Sequence, residues 1–149
     1  MERYIVSYEQ AQMLKQLGFD WKVEDWYWIR TLRNSDSEVI KDGGIQFIAN
    51  NYNSPEFYIR TACSAPQLHI AQKWLIEHKK VIALAQPYWN KGALEWEGVY
   101  FWESYYRHSD TDERYMEPQR RLCRGSYKEY EHALSAAITD ALKYLIKFR

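Results

Sequence analysis

Cysteine is scarce in this chain, with two residues, Cys63 and Cys123. They form no CxxC pair and share no metal-ligand spacing with histidine, which excludes a zinc-finger scaffold and a disulfide-dense secreted one. Reduced thiols are expected, and with them a cytoplasmic location. The four histidines, His69, His78, His108 and His132, form neither HxH nor HxxxH. No metal and no cofactor is expected. A charge excess is also lacking, since 20 Lys and Arg balance 20 Asp and Glu. Duplex nucleic-acid binders draw much of their affinity from phosphate neutralisation and usually carry a basic surplus. The opening Met1-Glu2-Arg3-Tyr4-Ile5-Val6 has no apolar stretch of signal-peptide length, and no run is long enough to span a bilayer. No membrane partner is expected.

The usual catalytic signatures are missing too. There is no GxSxG, and Asp42-Gly43-Gly44 is not followed by the Lys-Ser/Thr of a phosphate loop. His108 with Asp110, Asp112 and Glu113 lacks the glycine and terminal glutamate of a calcium loop and reads as a solvated turn. Cys63 precedes a helix start but has no base assigned to it by the sequence. Glu95, Glu97 and Glu103 recur at period two, the pattern of a solvent-facing strand side, although Val99 and Phe101 break its polarity and imply that it is partly covered; a carbohydrate-binding or glycosidase reading is the weaker alternative. The chain is therefore expected not to be an enzyme.

Aromatic residues are abundant, at 17%, with seven Trp and thirteen Tyr. Hydrophobic residues reach 46% and charged residues 27%, so a packed core can offset chain entropy. A length of 149 residues suits one domain, 1–149.

Hydrophobic periodicity orders the elements. Ser7 and Gln10 form a capping box ahead of Tyr8, Ala11, Leu14 and Leu17, and Gly18 closes a helix over about 8–17. Trp26 to Leu32 is rich in strand formers, and Asn34 to Ser37 reads as a turn. Val39-Ile40 and Ile45 to Ile48 suggest short strands around an Asp42-Gly43-Gly44 hairpin, and Phe57 to Thr61 another. A second helix opens at Ser64-Ala65-Pro66, buries Ile70, Ala71, Trp74 and Leu75, and ends near His78-Lys79-Lys80. Val81 to Tyr88, in which Pro87 marks the end or an edge strand, and Leu94 to Tyr106 flank a turn at Asn90-Lys91-Gly92; part of Arg114 to Cys123 is a third strand. Ser126 and Glu129 form a second capping box before the stripe Tyr130, Ala133, Leu134, Ala137, Ile138, Ala141, Leu142, Leu145. The expected class is α+β: two layers, an antiparallel sheet with three helices mainly on one face, and an αβββα C-terminal portion.

Two candidate surfaces follow. Strand alternation puts aromatics on both faces of Trp26-Tyr27-Trp28, so Trp26, Trp28, Trp102 and Tyr105 are candidates for a patch that binds a protein partner or a second copy. The αβββα order is similar to the double-stranded-RNA-binding fold, which makes Arg120, Arg121, Arg124 and Lys128 the candidates for phosphate contact. Glu129 and Glu131 make the first turn of the last helix too acidic for that role.

Three segments carry a resemblance. Ser64 to Leu75 is similar to an "APTLAQAQKWLRE" segment, Ser7 to Asp20 to a "SYEQALALKELGFD" start, and Tyr127 to Leu134 to a "YEEALEAGIDKALE" helix. The chain so resembles a group of small proteins of Bacteroidetes genomes, phages and mobile elements that has no known activity. His69 and the aromatic Trp26 to Trp28 depart from the pattern. The resemblance implies an accessory gene product of phage or mobile-element type and assigns no functional residue.

Overall fold

The computed structural model describes residues 4–44, 48–107, 114–123 and 125–148, without the side chains of 103–107 and 114–118. The chain is α+β, with helices and two three-stranded antiparallel sheets. It forms two compact units, Met1–Ile70 with Leu142–Arg149, and Ala71–Ala141. The strands expected in one sheet are thus distributed over two.

In the first unit, helix α1 spans Tyr8–Gln16. Its capping box is present: Gln10 N–H donates to Ser7 Oγ at 3.2 Å, and Ser7 N–H donates to Gln10 Oε1 at 2.8 Å. Ala11 and Leu14 are buried, as the helical spacing requires. Ser7→Ala should cost about 1 kcal/mol, because it orphans a helix-end donor. Thermal unfolding checks this, and an unchanged midpoint would show that the box does not matter.

Strands β1 (Asp25–Thr31), β2 (Ser37–Gly43) and β3 (Cys63–Ser64) form a sheet in the order β2-β1-β3. The β1–β2 hairpin turns where Asn34 to Ser37 cluster: Leu32 N–H donates to Asp36 O at 2.7 Å, and Ser35 takes φ 68°. Asp42 and Gly43 are not the hairpin turn expected there; they belong to β2, opposite Trp26 and Asp25. Glycine is needed at 43 for another reason. Its φ is +98°, and a Cβ there would lie 2.1 Å from the Glu24 carbonyl oxygen. The strand candidate Ile45 to Ile48 falls largely outside the described residues. Phe57 to Thr61 forms turns rather than a strand. Asn53 holds this loop, donating to Phe19 O at 2.8 Å and accepting from Ser64 N–H at 2.9 Å.

The unit boundaries fall within helices α2 (Leu68–Trp74) and α3 (Tyr130–Phe148). Beyond α2 the chain makes one wide turn over Leu75–Lys79, ended by Lys80 in the left-handed region. In the second unit, β4 (Val81–Asn90), β5 (Ala93–Arg107) and β6 (Arg114–Leu122) form an antiparallel meander. Lys91 and Gly92, at φ 50° and 83°, make the two-residue hairpin turn that matches strand twist.

Of the two roles expected of Pro87, strand end or edge position, the second holds: β4 is an edge strand of its sheet and continues past Pro87 to Asn90. The register explains this. Pro87 faces Trp96, whose backbone N–H and C=O both bond Tyr127 on the other side, each at 2.7 Å. No donor is required from residue 87. Gln72 Nε2 donates to Ala83 O at 2.7 Å.

The same Trp96–Tyr127 bridge displaces the start of the last helix. With its backbone held in a β-bridge, Tyr127 cannot enter a helical turn, and α3 begins at Tyr130. The expected Ser126–Glu129 capping box does not initiate it: Ser126 Oγ donates instead to Glu95 Oε2 at 2.5 Å. The expected stripe holds from Ala133 onward, with Ala133, Ala137, Ile138, Ala141, Leu142 and Leu145 fully buried. Helix α3 seats on β5 through Gly98, where a Cβ would lie 2.7 Å from Ala133 O.

Candidate functional site

Side chains on β4, β5 and β6 alternate between the α3 side and the opposite, outer side. Val81, Ala83 and Tyr100, with Gly98, face α3 and are buried. The outer face is built by the registers Ile82↔Phe101↔Arg120 and Leu84↔Val99↔Leu122, followed by Gln86↔Glu97 and Tyr88↔Glu95. Its centre is apolar. Val99 is fully buried, Leu84 and Phe101 are half-buried, and Ile82 and Leu122 are 42% and 50% exposed. Exposed apolar side chains grouped on one face mark association surfaces more often than scattered ones do.

The two ends of this face differ in charge. At one end the Arg120 guanidinium lies over the Phe101 ring, 6.0 Å from its centroid. At the other, Glu97 Oε1 accepts from Gln86 Nε2 at 2.5 Å, and Glu95 Oε2 accepts from Ser126 Oγ. The partial cover expected of this strand side is found at Val99 and Phe101, while Glu95 and Glu97 remain partly exposed.

The aromatic candidates fall into two pairs. In the first unit Trp26 is only 7% exposed, stacked on Tyr52 at 5.0 Å and edge-on to Phe57 at 5.3 Å. Trp26 belongs to the core and not to an exposed patch, because the 50s loop lays these rings against it. Trp28 is half-buried and stacks on Trp26 at 6.3 Å, and its buried indole Nε1 has no hydrogen-bond partner among the described residues. In the second unit Trp102 is half-buried against Tyr100, 5.4 Å away, on the α3 side. The Tyr105 side chain lies outside the described residues.

The basic candidates are also separated. Arg120 and Arg121 are strand neighbours and point to opposite faces. Arg121 hydrogen-bonds Tyr100, whose hydroxyl is pushed up by burial against the opposing pull of that guanidinium. Arg121 also lines a groove of about 620 Å³ with Cys123, Tyr127, His132, Thr139 and Asp140. Lys128 is exposed before α3, and Arg124 lies outside the described residues. So does the loop His108 to Glu113. Among the described residues, no three His, Cys, Asp or Glu side chains gather as metal ligands, and no helix is long and apolar enough to cross a membrane.

Both cysteines are buried and unlinked. Burial pushes the Cys63 thiol up to about 11, and burial together with Asp140 pushes Cys123 to about 12. In the native protein both should react slowly with a disulfide reagent at neutral pH, and rapidly after unfolding. Fast native labelling would contradict this. The shifts also fix a pH dependence. The unfolded thiols ionise near their ordinary value of 9.0, while the folded ones keep their protons to about 11 and 12. Above pH 9 the unfolded state therefore binds fewer protons, and stability falls as pH rises. Melting temperature should decline from pH 9 to 11, and less so in a Cys63→Ala/Cys123→Ala variant.

Comparison of this chain with family models, curated proteins and solved structures finds no match.

Proposed function

We propose that this chain is a non-enzymatic interaction protein, an accessory product of the phage or mobile-element type that its helices resemble, acting through protein contacts. The observation that supports this reading is the outer face of the β4–β5–β6 sheet, where Ile82 and Leu122 stand exposed around buried Val99. Covering such a face removes apolar area from water at roughly 25 cal/mol per Å². Photo-crosslinking tests the reading. A benzophenone side chain at position 82 or 122 should capture a discrete protein adduct in cells, and one at exposed Arg33 should not. Absence of any protein adduct from positions 82 and 122 would overturn it.

A second reading, a nucleic-acid-binding module, is favoured by one observation. Elements α2 to α3 follow the order αβββα with a meander sheet. Against it, Arg120 and Arg121 point to opposite faces, so they offer no joint phosphate contact. Under that reading, duplex RNA retards the protein in a gel, and affinity falls steeply as salt rises.

A further inference from the structure

Strand β6 borders its sheet, with β5 on one side. We propose that its other side is a strand-addition site for an extended, acidic segment of a partner protein, which lies in the groove between β6 and α3; this rests on reading the chain as an interaction protein.

The ladder fixes which backbone groups can receive such a segment. Antiparallel residues alternate between pairs that exchange backbone hydrogen bonds and pairs that do not. Cys123 N–H donates to Gly98 O at 2.9 Å, and the register carries this phase on to Tyr100↔Arg121 and Trp102↔Gln119. Arg120 and Leu122, opposite Phe101 and Val99, therefore turn their N–H and C=O groups away from β5. Pro118, opposite Glu103, falls in the same outward phase, as a residue without an amide hydrogen must. Among the described residues, no backbone group pairs with this side of β6. The C=O of Pro118 and both groups of Arg120 and Leu122 are thus available to a short added strand.

A floor for that strand is already built. The groove of about 620 Å³ runs between Arg121, Leu122 and Cys123 on one side and His132, Ser135 and Thr139 of α3 on the other. These helix positions recur at three- and four-residue spacing, so they share one face. Alternate side chains of an added strand would enter the groove beside Arg121, and the others would lie beside Arg120 and Leu122 on the outer face. Main-chain bonds to a sheet edge supply affinity in this mode, and the side-chain contacts supply selection.

Charge selects the occupant. Arg120 and Arg121 are both exposed and flank the edge, one on each face. Among the described residues neither guanidinium forms an ion pair. The carboxylates around them are engaged elsewhere. Asp140 in the groove hydrogen-bonds the Cys123 thiol, Glu129 lies 3.5 Å from His132, and Glu97 bonds Gln86. Adjacent acidic residues on an added strand would point to opposite faces and meet one arginine each. The β6 of a second copy would instead bring another Arg120 and Arg121 into the same short window.

Fluorescence anisotropy with a capped, fluorescein-labelled peptide, Thr-Val-Glu-Glu-Val-Thr, tests this together with amide hydrogen exchange read by NMR. The peptide should bind saturably below about 1 mM, and its counterpart with Lys-Lys at the centre at least about tenfold more weakly. In the free protein the Arg120 and Leu122 amides should exchange faster than those of Arg121 and Cys123, and the acidic peptide should slow them. Arg120→Glu should weaken binding at least about tenfold without a change in circular dichroism. Leu122→Pro removes an outward N–H and no bond to β5, and should weaken binding as well; if it does not fold, Arg120→Glu carries the test. The proposal is overturned if the acidic peptide does not bind at millimolar concentration, if the two peptides bind equally, or if binding leaves the Arg120 and Leu122 amides unprotected. Protection of those amides in the free protein that rises with its concentration would give the edge to a second copy and also overturn it. With no peptide bound, a protein adduct from position 82 defeats strand addition alone. No peptide bound and no adduct from position 82 or 122 defeats the interaction reading as well.

Discussion

Gly98→Val is expected to lower the melting temperature by roughly 6–12 °C, corresponding to about 3 kcal/mol in a chain of this length. The argument is steric. Gly98 lies in the middle of β5, where glycine ordinarily weakens a strand. It is tolerated because α3 comes close at this point. A Cβ on residue 98 would stand 2.7 Å from Ala133 O, 3.1 Å from Ala137 N and 3.2 Å from Ala137 Cβ. The first two are backbone atoms of a hydrogen-bonded helix and cannot swing aside as a side chain would. A branched residue must lift the helix, and with it the contacts of buried Tyr100 and Ile138. Gly98→Ala should produce a smaller loss of the same sign. Differential scanning calorimetry decides: a Gly98→Val midpoint equal to wild type would mean that α3 does not seat on β5.

Leu142→Ala should be comparably damaging by the opposite route, at about 2–5 kcal/mol. Leu142 is fully buried near the C-terminal end of α3, as is Leu145. Truncation forfeits the transfer energy of the lost methyl and methylene groups and leaves a void between helix side chains that collapse only in part. Native stabilities are commonly 5–15 kcal/mol, so this one change removes a large fraction. Urea titration should show an earlier midpoint with an unchanged slope. A midpoint equal to wild type would refute the assignment of this residue to the core.

These two positions differ in how legible they are. Leu142 belongs to a stripe at helical spacing, which needs only local periodicity to be read. Gly98 is different. Nothing in Glu97-Gly98-Val99 indicates that a helix thirty-five residues later will press on it. The same division runs through the chain. Helix α1, the Lys91-Gly92 turn and the long strand β5 follow from local signals. Gly43 was a misleading one: paired with Gly44 it reads as a hairpin turn, whereas the backbone of β1 is what demands it. The start of α3 was missed because Tyr127 pairs with Trp96, a contact between residues far apart in sequence that overrides a good capping pattern. The outer face was half visible. Val99 and Phe101 interrupt an otherwise acidic strand side, but only the cross-strand register adds Ile82 and Leu122 to them. The aromatic candidates failed to identify a surface at Trp26 because its covering rings come from a loop with no periodicity to read.

Strand β4 has a further consequence for how copies can meet. It is the first strand of its sheet, and its outer border would ordinarily template another strand and so invite fibre growth. Here Pro87 offers no amide hydrogen to an incoming chain, and the Ala83 carbonyl is already occupied by Gln72. The border is chemically incomplete at two of its outward positions, four residues apart. A strand approaching this border would find neither a donor at Pro87 nor a vacant carbonyl at Ala83, so sheet extension along β4 is disfavoured.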